Sequence, residues 1–477
     1  MTVSNQQNLA GATVTVASWT MVSRVTGLIR IVAIGAVLGP TYLGNVFQAI
    51  NQWPNLTYQA LTGSLLSMML VPILVPHIDA GDNRETARVA GGFMGMAIAG
   101  FAVLSAVALA VGPLLLRLLT FGVNNPAIAA AQRRAGWILL ITVMPQVVLY
   151  GVAGTGEAVM NAHGKFALAA AAPALENVGV IAVMVLNAAI FGTGTSVTRV
   201  GSSQLLLLGL GSTAAVLAHA SAQWWGARSV GVTLIPRIGW RDPEMRALAR
   251  RMSPAAGYTC LNALRFFGML VVANLVPGGV IAFQLGLNFI ALPVALGAWP
   301  VSVALLPQLA RLHIAGAAQR FRDELVQGVG ITFFLMIPAT VAYVALARPL
   351  ARAVSFGAMG TRAGIALVAA ALGGLGLAML GEAGSVVATH AAYACRDVRS
   401  PFYSMVVRTA VSAVFMVGAI AFAHGSAVIL VLGLGVSAGN AAGALYLARV
   451  IRSDLPRTGL PLVPTLARAG GASVVMI

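Results

Sequence analysis

The chain has 477 residues, of which 59% are apolar and only 9% are charged. Soluble globular proteins carry about 25% charged residues, so this composition excludes an ordinary soluble enzyme. A net charge of +17 would indicate a nucleic-acid partner in a soluble protein. Here the basic residues stand singly or in pairs at the ends of apolar stretches, where topology signals lie. We therefore predict an all-α polytopic membrane protein, and we expect no nucleic-acid partner.

Twelve complete apolar segments follow one another along the chain, and each is long enough to cross a bilayer. A further stretch, 460–477, covers only part of a membrane, so it is either an incomplete thirteenth helix or the natural chain continues. The first segment lacks the basic flank and cleavage site of a signal peptide, so we expect it to be retained. The predicted helices span 9–38, 43–76, 87–117, 129–161, 166–192, 203–228, 247–276, 279–311, 324–350, 363–394, 400–423 and 426–450.

The basic residues also predict the orientation of these segments. Loops after even-numbered segments hold 17 of the 29 Lys and Arg residues, and loops after odd-numbered segments hold 7. Cytoplasmic loops carry an excess of Lys and Arg. The N-terminus and the basic connection 228–251 are therefore predicted to lie in the cytoplasm.

A repeat with an offset of 235 residues indicates an internal duplication. At this offset Arg30 matches Arg265, Pro72 matches Pro307, and Arg117 matches Arg352. An accident of composition is the alternative, but Arg and Pro are rarer than the Ala and Leu around them. Each half holds an even number of helices, so we predict two parallel six-helix repeats around a central cavity, plus a partial thirteenth helix. The predicted divisions are an N-terminal lobe 1–232, a cytoplasmic linker 233–246, a C-terminal lobe 247–452, and a linker with the start of the incomplete helix 453–477.

Three arginines lie inside predicted spans, where a charge is costly and usually faces a cavity. Arg24 and Arg30 are in the first segment, and Arg265 is in the seventh. The repeat places Arg30 and Arg265 at similar depth. Guanidinium groups facing one cavity suit a phosphate-bearing ligand, because each offers a fork of donors and keeps its charge. The alternative is that these arginines extend to the membrane interface or pair with a carboxylate.

Three acids also lie inside predicted spans: Glu157, Glu176 and Glu382. Such residues bind Na⁺ or H⁺ in secondary transporters, so each is a candidate for cation coupling. An ion pair with a nearby arginine is the alternative. The chain shows no nucleophile motif, nucleotide-binding loop or metal-ligand spacing. We therefore predict that it is not an enzyme and needs no cofactor beyond a coupling ion.

Five stretches, in this order along the chain, resemble the MurJ/MviN lipid II flippases of the multidrug/oligosaccharidyl-lipid/polysaccharide exporter superfamily. They are SRVTGLIR (Ser23–Arg30), PNLTYQALTGSLLSMMLVPIL (Pro54–Leu74), NAHGKFALAAAAPALEN (Asn161–Asn177), PVALGAWPVSVALLPQLARL (Pro293–Leu312) and YACRDVRSP (Tyr393–Pro401). The resemblance implies a bacterial inner-membrane protein that moves an undecaprenyl-pyrophosphate-linked peptidoglycan precursor to the outer leaflet by alternating access. It also implies a cationic cavity and coupling to a cation or the membrane potential.

The resemblance extends the expected substrate-binding set beyond the three arginines. Asn55 belongs to the PNL motif, and Asn288 stands with Leu287 where the family commonly has an Asp-Arg pair. The implied partners are a lipid-linked glycan, the bilayer, and proteins of cell-wall synthesis or division. Two other readings stay open: an exporter of another lipid-linked saccharide or amphiphile, and a non-transporting membrane scaffold of the cell-wall machinery.

Overall fold

The computed structural model describes residues 3–61, 63–237 and 243–453, and all regular structure in these ranges is helical. The predicted thirteenth helix and part of the predicted linker lie outside the described residues. A short 3-10 helix, Gly357–Gly360, joins the thirteenth and fourteenth of the seventeen α-helices. These α-helices are α1 (Val3–Leu38), α2 (Tyr42–Leu61), α3 (Gly63–Asp79), α4 (Asn83–Leu119), α5 (Pro126–Val143), α6 (Pro145–Ala162), α7 (Phe166–Phe191), α8 (Ser202–Ser229), α9 (Pro243–Ala273), α10 (Gly279–Leu296), α11 (Ala298–Ile314), α12 (Ala318–Ala345), α13 (Ala347–Val354), α14 (Arg362–Gly376), α15 (Ala378–Ala394), α16 (Arg399–Phe422) and α17 (Ser426–Ser453).

The helices confirm the predicted polytopic membrane class. Nine of the helical stretches in the described residues are long and apolar enough to cross a bilayer, and the bent pair α14–α15 makes a tenth. The helix axis bends by 41° between the two helices of that pair. The second and seventh predicted segments correspond to α2–α3 and α9, whose side chains lie partly outside the described residues.

Within the described residues, four predicted segments are each divided into two helices, which hydropathy alone did not indicate. Pro145 begins α6 one residue after Met144, which follows the end of α5. Proline lacks an amide hydrogen, so it cannot donate to the carbonyl of Ile141. In α10, Pro293 cannot bond to the carbonyl of Phe289. The Tyr343 hydroxyl donates to that carbonyl at 3.2 Å instead. A broken span is therefore stabilised by a side chain from a neighbouring helix.

The helix ends confirm the duplication. The end of α1 at Leu38 corresponds to the end of α9 at Ala273, 235 residues later. The same offset relates Gly81 and Gly316, which have φ angles of 71° and 66°. Glycine adopts this left-handed geometry without the cost that a side chain adds.

The offset becomes 232 residues further along each repeat. There α6 ends at Ala162 and α15 at Ala394. Two residues later in each chain segment, Gly164 and Arg396 have φ angles of 69° and 60°. Residues of α6 and α7 should therefore be compared with residues of α15 and α16 at an offset of 232.

Two compact units divide the chain, Met1–Thr259 and Cys260–Ile477. In the first unit α8 packs against α5, α6 and α7, while α2 packs against α5 and α3 against α6. The second unit repeats this arrangement: α17 packs against α14, α15 and α16, α10 against α14, and α11 against α15. The predicted domain boundaries stay predictions.

The first residues of the predicted linker pack along α4 in the first unit. The amide of Arg237 donates to the carbonyl of Gly91 at 2.9 Å, and the Trp224 indole donates to the carbonyl of Leu234 at 3.1 Å. A side chain at Gly91 or Gly95 would collide with this backbone. The described part of the linker is therefore an extended segment bound to α4.

Candidate functional site

A close approach of α1 and α7 positions the first site in unit one. A Cβ atom at Gly27 would lie 3.5 Å from the side-chain nitrogen of Asn177, so α1 and α7 are in van der Waals contact at this position. Asn177 donates to the carbonyl of Ser23 at 3.0 Å and to the hydroxyl of Thr26 at 3.1 Å. These bonds fix the register of α1 beside the residue that precedes Asn177, which is Glu176.

Glu176 is the centre of a buried ionic network that joins four helices. Its Oε1 accepts from Nη1 of Arg30 on α1 at 3.0 Å and from the hydroxyl of Tyr150 on α6 at 3.1 Å. Its Oε2 lies 3.2 Å from Nδ1 of His219 on α8. The side chains of Arg30 and Glu176 are 14% and 13% exposed. Glu176 lies ten residues into α7, about 15 Å from that helix's first residue, so this network is at mid-span.

Backbone features of α7 and α8 position His219 beside Glu176. Pro173 cannot bond to the carbonyl of Ala169, and the buried Gln223 side chain donates to that carbonyl at 3.1 Å. Gln223 is four residues after His219, so both lie on the face of α8 that meets α7. Gly156 on α6 contacts the backbone of Gln223, and any side chain there would collide with it.

The guanidinium of Arg30 keeps donor capacity beyond its ion pair. Its Nε atom is buried and has no hydrogen-bond partner within the described residues. Arg24, six residues earlier on α1, is exposed. In the second unit, Arg265 is partly buried on α9 and Nη2 donates to Asn262 at 3.4 Å. Arg30 and Arg265 each lie eight residues before the end of their helix, at equivalent repeat positions.

Glu157 is partly buried on α6, seven residues after Tyr150, and it is within electrostatic reach of His219. Within the described residues Glu157 makes no hydrogen bond and no ion pair. No group of three His, Cys, Asp or Glu side chains is placed to hold a metal ion in the part of the chain that the structure describes. Glu157 therefore interacts electrostatically with an imidazole that already contacts a second carboxylate.

A second ionic network lies in unit two and contains Glu382. Arg408 on α16 is 7% exposed and donates through Nη2 to Glu382 on α15. The same nitrogen donates to the side-chain oxygen of Asn440 on α17 at 2.7 Å. Gly443 on α17 leaves the space that the Arg408 side chain fills. Glu382 thus has the arginine partner that was the alternative to a cation site, and its coupling role stays a prediction.

The two networks share two equivalent repeat positions, and the central residue has opposite charge in the two units. At the offset of 232, Tyr150 corresponds to Glu382, and Glu176 corresponds to Arg408. The central residue is a carboxylate in the first unit and a guanidinium in the second. Both networks contain equivalent helices: α6, α7 and α8 in the first unit, and α15, α16 and α17 in the second. A polar connection is therefore present at this position in both units.

The two asparagines implied by the family resemblance lie on α2 and α10. Asn55 follows Pro54 on α2 and is partly buried. Asn288 on α10 donates to the carbonyl of Gln284 at 2.9 Å, one turn earlier on its own helix. Their roles in substrate binding stay predictions.

Sequence reasoning missed Tyr150, His219, Gln223 and Asn440. His219 had one available signal, because it is the only titratable residue between Ser202 and Ala227 of an otherwise apolar or neutral helix. The correspondence of Tyr150 with Glu382 appears only at the offset of 232, whereas the matches found in sequence share an offset of 235.

A membrane chain of two repeated helical units with ionic networks at mid-span has the architecture of a secondary transporter. The family model described as "Lipid II flippase MurJ" matches residues 34–477. The chain belongs to the MurJ lipid II flippase family.

Individual relatives and solved structures agree with this family and fold. The probable lipid II flippase MurJ of Haemophilus influenzae is 25% identical over 343 residues, which cover 69% of this chain and 65% of that relative. The chain thus spans less than two thirds of that relative's length. A structure titled "Lipid II flippase MurJ, inward closed conformation" has a TM-score of 0.73 and 16% identity, covering 97% of this chain and 91% of the other. An inward-facing multidrug resistance MATE family transporter of the MOP superfamily has a TM-score of 0.68 and 12% identity, covering 92% and 98%.

Proposed function

We propose that this protein is a lipid flippase and not an enzyme. Its proposed substrate is an undecaprenyl-pyrophosphate-linked peptidoglycan precursor, lipid II. In this proposal the protein moves the precursor from the cytoplasmic to the outer leaflet of the bacterial inner membrane by alternating access. Membership of the MurJ family supports the substrate class, and two repeated units support a transport cycle of this kind.

The observation that carries the proposal is the arginine at mid-span in α1. A pyrophosphate that enters a membrane protein loses part of its hydration and needs fixed positive charge. Arg30 lies at that depth with Nε buried and without a hydrogen-bond partner in the described residues. We propose that Arg30, Arg24 and Arg265 contact the phosphates, and that Asn55 and Asn288 contribute neutral hydrogen bonds.

Depletion of the protein tests the substrate. We expect depleted cells to accumulate an undecaprenyl-pyrophosphate-linked disaccharide-peptide, measured by mass spectrometry of extracted lipids. Accumulation of a different lipid-linked saccharide would replace the substrate in this proposal. Unchanged lipid intermediates together with a division or shape defect would favour the membrane scaffold. Partners would then be sought among the proteins of cell-wall synthesis or division.

Coupling to Na⁺ or H⁺ is part of the proposal. The three intramembrane acids differ in their partners: Glu176 and Glu382 each contact an arginine, whereas Glu157 lies near His219 and makes no ion pair within the described residues. A carboxylate that exchanges its partner during transport gives a cation a place to bind.

The orientation of the chain sets the direction of transport and is tested by cysteine labelling. The native cysteines Cys260 and Cys395 are first replaced by alanine. In that background we expect Asn124→Cys, in the exposed loop after α4, to react with an impermeant thiol reagent in intact cells. Ser229→Cys, at the exposed end of α8, should react only after the membrane is permeabilised. The reverse pattern would contradict the cytoplasmic N-terminus that the 17-to-7 distribution of basic residues predicts.

A further inference from the structure

The buried ionic network of the first unit and the nearby Glu157 together contain two carboxylates and one guanidinium. Arg30 carries one positive charge, while Glu176 and Glu157 together carry two negative charges when both are ionised. A buried charge without compensation is costly. The remaining balance is supplied most simply by one proton, held between Glu157 and His219. The network of Arg30, Glu176, His219 and Glu157 is then neutral.

No other charged group on the neighbouring helices is placed to supply this balance. The remaining titratable or charged groups described on helices that pack around His219 and Glu176 either are exposed, as Arg24 is, or lie nearer the helix ends. They are Arg24 on α1, Tyr42 on α2, His77 and Asp79 on α3, Arg84, Glu85, Arg88 and Arg117 on α4, Arg133 and Arg134 on α5, His163 after α6, Lys165 before α7 and Arg228 on α8. Several of these have their own partners, such as Arg88 with Glu85 at 2.7 Å and Arg133 with Thr120 at 3.2 Å.

A route for the proton leads toward one end of the unit. Glu157 lies five residues before the end of α6, about 7 Å along the helix axis. Met160, on the next turn, lines an open pocket of about 530 Å³ together with Gly164, Lys165 and Ser229. Met160 is three residues after Glu157, so this pocket comes within one helical turn of Glu157. The order from the pocket inward is Glu157, His219, Glu176 and Arg30.

We propose that Glu157, His219 and Glu176 form a proton-binding site that gains a proton when a phosphate binds Arg30. This rests on the proposed function, because it requires Arg30 to bind the phosphate. A phosphate takes over the guanidinium that now neutralises Glu176. The freed Glu176 carboxylate leaves the network with excess negative charge, so the network takes up a proton from water through Glu157 and His219. Release of the phosphate lets Arg30 return to Glu176, and that proton leaves.

This exchange makes phosphate binding and proton binding support each other. By linkage, the uptake of about one proton makes phosphate binding up to about tenfold tighter for each unit that the pH falls. A flippase built this way would carry about one proton across the membrane with each substrate, in the same direction. Tyr150 takes part as a positioning residue, because its hydroxyl holds the Glu176 oxygen that also contacts Arg30.

The test counts protons with farnesyl pyrophosphate as the probe. Binding to the full-length protein in detergent is measured by titration calorimetry at one pH in two buffers of different ionisation enthalpy. We expect the unaltered protein to take up about one proton more per bound probe than Glu176→Gln does, and the variant to bind at least as tightly, because its Arg30 has no ion pair to break. Because both proteins bind the same probe, protons taken up by the probe itself cancel in this difference. Glu85→Gln, which removes an exposed carboxylate, should give the proton count of the unaltered protein.

Two outcomes would overturn the inference in distinguishable ways. Suppose that Arg30→Ala loses probe binding, but the unaltered protein takes up no more protons per bound probe than Glu176→Gln does. Phosphate then binds Arg30, and the proposed proton site is wrong. If Arg30→Ala binds the probe as the unaltered protein does, the proposed arginine site is wrong and the proton site falls with it. If Glu176→Gln does not accumulate, the affinity for the probe is measured as a function of pH instead. The unaltered protein is then compared with Glu176→Asp, which keeps the carboxylate. A pH dependence no steeper than the probe's own ionisation would then contradict the inference.

Discussion

Arg30→Ala and Arg265→Ala should each abolish or strongly reduce complementation of a depleted strain, while the protein still accumulates in the membrane. Each substitution removes a charge-assisted contact to phosphate, which is worth about 1.5–3 kcal/mol and corresponds to roughly 10- to 150-fold weaker binding. Arg→Lys at either position should restore function only in part, because a point charge replaces a planar fork of donors. Arg320→Ala is the matched control. Arg320 is an exposed arginine on α12, and its loss should be nearly silent.

The ion pair with Glu176 gives Arg30→Ala a second possible effect, which a double variant separates. Arg30→Ala leaves the Glu176 carboxylate without its guanidinium partner, so loss of function alone does not establish phosphate binding. Arg30→Ala combined with Glu176→Gln removes both charges. We expect the double variant to accumulate normally and to remain inactive. Restored function in the double variant would mean that Arg30 only neutralises Glu176, and the scaffold reading would gain most.

Arg408→Met should lower the free energy of unfolding by about 3–5 kcal/mol, the usual cost of breaking a buried ion pair. The expected value lies toward the lower end, because the Glu382 side chain is 33% exposed. Methionine keeps much of the apolar volume but leaves Glu382 without its partner. Adding Glu382→Gln should recover a large part of the loss, because it removes the remaining charge. The measurement is a denaturation series in mixed detergent and sodium dodecyl sulfate.

The exposed pair of Glu85 and Arg88 on α4 provides the control for this cycle. Arg88→Met should cost no more than about 1 kcal/mol, since an exposed ion pair contributes little. If Arg408→Met costs as little as the control, or if the two changes at Arg408 and Glu382 are simply additive, the network in the second unit is not what holds α15, α16 and α17 together.

Hydropathy predicted most of the helices, because a helix that crosses a bilayer needs a long apolar segment. The internal repeat then predicted that the two halves share one arrangement of helices. All twelve predicted segments have helical counterparts, and the ends of α1 and α9 repeat at the predicted offset. The breaks were harder to predict. Proline occurs both at breaks, as with Pro145, and within continuous helices, as with Pro173. What separates the two cases is which neighbouring group satisfies the freed carbonyl, and that depends on tertiary packing.

The candidate site was predictable only as a set of separate charges. Sequence placed Arg30 and Glu176 inside spans and left open an ion pair between an arginine and a carboxylate. It could not choose the partner, because 146 residues separate the two and the contact depends on how α1 packs against α7. A single histidine in an apolar helix belongs to no recognisable motif, so the sequence did not single out His219. Its role follows from the register of α8 against α7, which Gln223 and Ala169 fix.

Translocation of labelled lipid II by the purified protein in liposomes tests the central claim most directly. The amount of label exposed on the opposite leaflet is measured with a reagent that cannot cross the bilayer. We predict movement well above that in protein-free liposomes, and a return to that background with Arg30→Ala of equal stability. A folded, correctly oriented protein that leaves lipid II in its original leaflet, with or without a proton gradient, would contradict the account.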